Sequence, residues 1–217
     1  MFERKPLRAD VGAEILGRVI DGRLPSGARI NESQLAQELG ISRTPLREAM
    51  LCLTTEGTLA SDMGRGFRVP HLAGQEARDL VQTLAVLLPA AVQQGPRQDL
   101  QDHVEAGNAL GRARLGLRDA GTVCEQLYLL LRRLIEACTN AVLRQESQRL
   151  LRLTLRYLFE AHGRGWDPAG TLDLLDAVLA ALRRGDRTGA ADVLARALRG
   201  LADDLASRFP AEAAGRA

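Results

Sequence analysis

Four polar side chains come together at the start of a segment that otherwise has the pattern of a buried helix. Ser42, Arg43 and Thr44 occupy its first turn, and Arg47 follows one turn later. Arginine can donate two parallel hydrogen bonds to the major-groove edge of guanine, and serine and threonine hydroxyls can hold phosphate oxygens. These residue types at a helix N-terminus therefore indicate contact with duplex DNA.

The residues that must position these side chains have the pattern of a helix-turn-helix. Asn31 can cap a first helix, with Gln34 reaching back to it as in a capping box. Gly40 supplies the left-handed residue that ends this helix, and Ser42 caps the second one. Apolar residues recur every three or four positions in both segments: Leu35, Ala36 and Leu39, then Leu46, Ala49, Met50 and Leu53. This spacing predicts two short helices packed across a tight turn.

A hairpin with a glycine-containing tip is predicted after the second helix. Gly57 ends that helix, and the segments 58–61 and 66–70 flank a four-residue tip that carries Gly64 and Arg65. A short hairpin of this kind, with one arginine at its end, is typical of a wing that lies along a groove next to the one the helix enters.

The charge balance of this region argues mildly against DNA binding. Residues 1–72 also contain a predicted amphipathic helix over 7–21, and they hold ten Lys and Arg against nine Asp and Glu. Many DNA-binding domains are visibly basic. We expect four acidic residues to lie on other faces, which leaves the contact end locally positive. They are Glu14, Asp21, Glu38 and Glu56. The alternative is a protein-interaction helical bundle whose winged domain serves for docking.

The stretch GISRTPLREAM, with INESQLAQELG before it and GRGFRV after it, resembles the winged helix-turn-helix of GntR-type bacterial transcription regulators. The resemblance covers residues 7–71 without a gap. It implies DNA contacts from the second helix and the wing tip: Arg43, Thr44 and Arg47, assisted by Ser42, Gly64 and Arg65. This chain departs from the family at Ser33, where several relatives carry an arginine, and the departure implies an altered operator.

The rest of the chain is predicted to be all-helical. Aromatic residues make up only 3% of the 217 residues, so the cores must be built from Leu, Ala and Val. Leu and Ala are strong helix formers, and β-branched residues are sparse after residue 74. Breaker signals divide this part into six helices, at about 75–94, 96–117, 120–138, 140–163, 169–184 and 187–207.

The predicted fold class is therefore mainly α, with an N-terminal winged helix-turn-helix followed by an all-α six-helix bundle. Three parts are expected along the chain. Residues 1–72 form a DNA-binding domain, 73–210 an all-helical effector-binding and dimerisation domain, and 211–217 a flexible tail.

The bundle resembles the FCD effector domain of the FadR subfamily, in its VanR-like branch, through ACTN near residue 140 and AALRRGD…AADVLARAL over 180–198. Many FCD domains hold a divalent metal, but the family's ligand and carboxylate-binding positions fall here on aliphatic residues: Leu84, Leu127, Leu131, Leu175 and Ala197. The resemblance therefore implies a chain without metal or cofactor. Two alternatives stay open, a pocket for a small, largely apolar effector lined by these five residues, or a filled core in a ligand-independent regulator.

An enzyme is not expected, because the sequence has no nucleophile–base pair, no metal-ligand spacing and no glycine-rich phosphate loop after a strand. The three cysteines have no paired spacing, and no signal peptide or membrane-spanning run is recognised, so a cytoplasmic protein is expected. The expected function is a transcription regulator, of repressor type, that binds a pseudo-palindromic operator in double-stranded DNA as a homodimer.

Overall fold

The computed structural model of the chain describes residues 7–62, 65–95, 100–116 and 119–211. The chain divides into two compact units, one ending at His71 and the other beginning at Leu72. None of the helices in the described ranges is long and apolar enough to cross a membrane. Of the predicted tail over 211–217, only Ala211 lies within the described residues.

The N-terminal unit contains three helices and a hairpin among its described residues: α1 (Leu7–Ile20), α2 (Glu32–Glu38), α3 (Arg43–Glu56), β1 (Ala60–Asp62) and β2 (Gly66–Arg68). Ile15 of α1 and Leu46 and Met50 of α3 are fully buried at the centre of its core. The predicted inward faces of α2 and α3 all contribute to this core, although Leu39 is only partly buried. The apolar spacing is thus the reason that the three helices pack around one centre.

The hairpin places Ser61 of β1 opposite Phe67 of β2 in an antiparallel pair. Residues 27–30 run along the other edge of β2, which the sequence reasoning did not predict. The amide of Ile30 donates to the carbonyl of Phe67 at 2.9 Å, and the amide of Val69 donates to the carbonyl of Ala28 at the same distance. The Phe67 ring points into the core, where it is 2% exposed. The hairpin is therefore joined through β2 to residues 27–30, in the segment that connects α1 to α2.

The local caps of α2 and α3 differ from the prediction. Asn31 does cap α2, because its Oδ1 accepts from the amides of Ser33 and Gln34 at 3.1 Å. The capping box is wrong, since the Gln34 side chain donates to the charged Glu38 carboxylate one turn later, at 3.0 Å. Ser42 occupies the N-cap position of α3, but its hydroxyl makes no capping hydrogen bond. Pro45 stands three residues later and has no N–H, so one of the two usual partners of such a cap is missing.

The C-terminal unit is a bundle whose described residues form six helices: α4 (Gly74–Gln93), α5 (Leu100–Leu115), α6 (Ala120–Glu136), α7 (Ala141–Gly163), α8 (Ala169–Arg183) and α9 (Arg187–Ser207). α4 packs on α9, α7 and α6, and α8 packs on α9 and α5. The mainly α fold class, with a winged helix-turn-helix followed by a helical bundle, is confirmed. Of the predicted span 96–117 for α5, residues 100–115 are helical and Gly116 is a turn, and residues 96–99 and 117 lie outside the described ranges.

The start of α4 is joined to the segment after α9 by backbone hydrogen bonds. The amide of Gly74 donates to the carbonyl of Pro210 at 2.7 Å, and the amide of Gln75 donates to the carbonyl of Ala211 at 3.4 Å. Gly74 is buried, and a Cβ at this position would overlap the carbonyl oxygen of Ala206. The bundle therefore closes through a contact that only a residue without a side chain can make.

Candidate nucleic-acid interface

The four residues predicted to contact DNA lie together at the N-terminal end of α3. Ser42, Arg43, Thr44 and Arg47 are all exposed, whereas Leu46 of the same helix is fully buried. Arg43 and Arg47 are four residues apart, so they share one face of the helix. Because the apolar side of α3 packs in the core, the polar side of its N-terminal end faces solvent.

The helix-turn-helix turn brings the first residues of α2 next to those of α3. Gly40 takes a positive φ of 64°, and the amide of Ile41 donates to the carbonyl of Ala36 at 3.0 Å. Across this turn, Nη2 of Arg43 donates to Oγ of Ser33 at 2.6 Å. Both side chains are exposed. Ser33 therefore contacts a predicted DNA-binding arginine directly.

Arg47 has a different environment from Arg43. Its Nη1 lies 3.4 Å from Oε2 of Glu32, and its guanidinium lies 5.7 Å from the centroid of the Phe67 ring. The Glu32 side chain is only 20% exposed, whereas the Arg47 side chain is 62% exposed. Glu32 also approaches the wing, because a Cβ on Gly66 would lie 3.5 Å from its Oε1. The Glu32 carboxylate thus lies close to both α3 and β2.

The tip of the wing is only partly within the described residues. Gly64, predicted to assist DNA contact, lies outside them, whereas Arg65 is described and exposed. The amide of Arg65 donates to the carbonyl of Asp62 at 2.9 Å, and the Asp62 carboxylate pairs with Nε of Arg68 at 3.1 Å. The acid nearest the tip therefore already has a cationic partner within the hairpin.

The acidic residues are distributed less favourably than the sequence reasoning assumed. Glu14 and Glu38 both pair with Arg18, which joins α1 to α2, and the hydrogen bonds from Arg18 and Gln34 hold the pKa of the Glu38 carboxyl below its ordinary value. Glu32, by contrast, lies beside Arg47, at the end of α3 that is predicted to contact DNA. Sequence reasoning missed this acid, although its place directly after the Asn31 cap could have shown that it lies near the first turns of α3.

The five residues predicted to line an effector pocket are all in the helical core. Leu84 lies on α4, Leu127 and Leu131 on α6, Leu175 on α8 and Ala197 on α9, and each is at most 6% exposed. Within the described ranges, no three His, Cys, Asp or Glu side chains are placed so that they could hold a metal ion.

α7 carries a partly buried arginine beside a buried tyrosine. Arg156 is partly buried, and this burial lowers the pKa of its guanidinium. The neighbouring Tyr157 is buried and donates to Oε2 of Glu76 at 2.6 Å. Tyr157 also accepts from the amide of Ala73 at 3.4 Å, so it joins α7 to the start of α4.

Part of this chain matches a protein family and individual proteins in sequence. Residues 7–69 match the model of the family described as bacterial regulatory proteins, gntR family. An HTH-type transcriptional regulator of Bacillus subtilis, YdhC, is 36% identical over 75 residues, which are 35% of this chain and 34% of that protein. The Nta operon transcriptional regulator of Aminobacter aminovorans is 47% identical over 66 residues, which are 30% of this chain and 31% of that protein. The chain thus spans about a third of the length of these curated relatives.

The solved structure of McbR/YncC from E. coli has the same fold as this chain. The two superpose with a TM-score of 0.77 at 22% identity, over 93% of this chain and 97% of the other. This structural likeness covers 93% of the chain, whereas the family model covers residues 7–69. Residues 7–69 are thus similar to the gntR family of bacterial regulatory proteins, and the winged helix-turn-helix that they form is followed in this chain by an all-helical unit.

Proposed function

We propose that this chain is a transcription regulator, of repressor type, that binds duplex DNA through α3 and the wing. The observation that carries the proposal is the pair of exposed arginines, Arg43 and Arg47, on one face at the start of α3 in the matched domain. A helix that enters the major groove reads base edges with its N-terminal residues, and arginine binds guanine O6 and N7 with two hydrogen bonds.

Each of the remaining interface residues has a role that follows from its chemistry. The hydroxyls of Ser42 and Thr44 are suited to phosphate oxygens, since they can donate a hydrogen bond without fixing a base identity. Arg65 and the neighbouring Gly64 are assigned to the adjacent groove, where a cation gains from the negative potential of the phosphates.

The all-helical unit is proposed to make the chain a homodimer, as in FadR-like proteins with an FCD domain. A single α3 makes few base contacts, and a two-fold dimer doubles them on a pseudo-palindromic operator. The aliphatic set around Leu84, Leu127, Leu131, Leu175 and Ala197 suits a small, largely apolar effector and no metal. Such an effector would change DNA affinity only through unequal affinity for the two arrangements of the dimer. A regulator without any effector is the alternative.

The test is selection of genome fragments by the purified protein at moderate salt, followed by sequencing of the retained DNA. We expect a pseudo-palindrome, and Arg43→Ala should weaken binding to it by about 1–3 kcal/mol. Arg43→Lys is the matched control, because it keeps the charge but removes the planar fork of donors. It should retain the salt dependence of binding and lose base discrimination.

Two results would contradict the proposal. Retention of no sequence above background, by a protein that remains folded at low salt, would favour the protein-docking alternative. Equal loss of affinity for all sequences in Arg43→Ala, with Arg43→Lys like the wild type, would make Arg43 a phosphate contact.

A further inference from the structure

We infer that Ser33 is a specificity-determining positioning residue, whose hydroxyl fixes the Arg43 guanidinium in the orientation that it presents to the DNA bases. The inference deepens the proposed function and rests on it. Its starting point is the 2.6 Å bond from Nη2 of Arg43 to Oγ of Ser33, between two exposed side chains on different helices.

Ser33 is well suited to this task because its own backbone is held in place. Its amide donates to Oδ1 of Asn31 at 3.1 Å, in the first turn of α2. A serine side chain has a single heavy-atom torsion, so its oxygen has few alternative positions. Arg43 is long and flexible, and a bond between its charged guanidinium and a fixed acceptor restricts that freedom before DNA is bound.

The bond leaves Arg43 able to read a base. A guanidinium has five N–H donors, and Ser33 uses one of them. The others include the two that a bidentate contact with guanine O6 and N7 requires. Ser33 accepts this bond through its oxygen, so its own O–H remains able to donate to a phosphate. The positioning therefore does not compete with recognition, and it reduces the entropy that Arg43 loses on binding.

Arg47, on the same helix, has a partner within the protein that competes with DNA for its charge. It faces the Glu32 carboxylate at 3.4 Å and stands over the Phe67 ring, so part of its charge is balanced within the protein. Arg43 is held by a neutral hydroxyl and keeps its charge for DNA. The two arginines, one turn apart, thus differ in how much of their charge is offset within the protein. We therefore assign base discrimination to the Ser33–Arg43 pair.

A double-mutant cycle tests this inference on the full chain and its selected operator. The variants are Ser33→Ala, Ser33→Thr, Arg43→Ala and the double variant Ser33→Ala/Arg43→Ala. The control is Thr55→Ala, which removes another exposed hydroxyl at the opposite end of α3. The dissociation constant is measured for the operator, and for operators with each base pair replaced, at several salt concentrations.

We expect Ser33→Ala to weaken operator binding about fivefold, the effect of losing one typical hydrogen bond between exposed groups. The loss should be confined to the base pairs at which Arg43→Ala also loses discrimination, and the salt slope should not change. Ser33→Thr and Thr55→Ala should bind like the wild type. In the Arg43→Ala background, Ser33→Ala should have no further effect.

Three outcomes would overturn the inference. Ser33→Ala could bind like the wild type, could weaken binding equally with and without Arg43, or could weaken all sequences equally, as loss of a phosphate contact would. A wild-type protein that retains no DNA would instead defeat the proposed function. The two failures are therefore distinguishable.

Discussion

Arg43 and Arg47 lie on the same exposed face of α3, but one donates to a hydroxyl and the other faces a carboxylate. This difference matters because a hydroxyl leaves the charge of an arginine available, whereas a carboxylate offsets it. The exposed Glu32–Arg47 pair contributes little to stability, since side chains as exposed as that of Arg47 interact weakly through water. Its effect is expected in DNA binding, where Glu32 reduces the attraction of this end of α3 for phosphate.

Replacing Glu32 by Gln should therefore strengthen binding to all DNA sequences. We expect an increase of about threefold at low salt, and a salt slope steeper by at most about one, because Arg47 becomes available to a phosphate. Discrimination between base pairs should not change. The measurement is affinity for the operator and for unrelated duplexes across a range of salt concentrations.

Glu56→Gln is the control for this variant, because it removes the same charge at the last residue of α3. It lies nine residues from Arg47 along the helix, about 14 Å by helix geometry and beyond the screening length of about 10 Å at 0.1 M salt. An equal increase in Glu56→Gln would show a general effect of net charge. Unchanged binding in Glu32→Gln would show that Glu32 does not restrain Arg47.

The residue contacts at this site could be predicted only in part from the sequence. The family-like stretch and its helical spacing were sufficient to place Ser42, Arg43, Thr44 and Arg47 on one exposed end, because periodicity determines which face of a helix is buried. The bonds to Ser33 and Glu32 cross the turn between two helices. Such contacts depend on the helix crossing and on side-chain rotamers, which no local pattern specifies.

At the scale of elements, the existence and order of the helices could be predicted from the sequence, whereas a backbone pairing between distant segments could not. Six helical segments were expected in the C-terminal part, and six are observed in the described ranges, because leucine and alanine stripes and glycine joints mark them clearly. The pairing of residues 27–30 with β2 was missed. That segment has no alternating apolar pattern, and its pairing consists of backbone bonds to a strand far along the chain.

Gly74 shows how one contact between elements constrains a residue. A Cβ at Gly74 would meet the backbone carbonyl of Ala206, which cannot move without shifting the end of α9. We therefore expect Gly74→Ala to destabilise the C-terminal unit by about 1–3 kcal/mol, as overpacking does. The change is measured as a lower urea midpoint of unfolding, followed by circular dichroism.

Gly200→Ala provides the matched control in the same helix pair. Gly200 lies within α9, is exposed, and has open space where a Cβ would be. Alanine has the higher helix propensity, so this variant should gain up to about 1 kcal/mol. Destabilisation by both variants would mean that α9 tolerates no added methyl group at all, and a neutral Gly74→Ala would show that the two helix ends can separate without cost.

At the scale of the whole molecule, the proposed function requires two chains on one operator. Each N-terminal unit offers one exposed α3 end with two arginines, which supplies few base contacts for a specific complex. If two such ends are held by a dimer, their separation must match the spacing of the half-sites along the DNA helix. We therefore expect analytical ultracentrifugation to find two chains for each operator duplex.

The dependence of affinity on the spacing of the half-sites distinguishes a dimer from two independent monomers. Inserting about five base pairs between the half-sites turns them to opposite sides of the duplex, since B-DNA repeats about every 10 base pairs. We expect affinity to fall to that of a duplex with a single half-site, because a dimer then engages only one end. An insertion that leaves affinity unchanged, or a stoichiometry of one chain for each operator, would contradict dimeric recognition. Base reading would then have to be sufficient within one chain, and the Ser33–Arg43 pair would have to account for it.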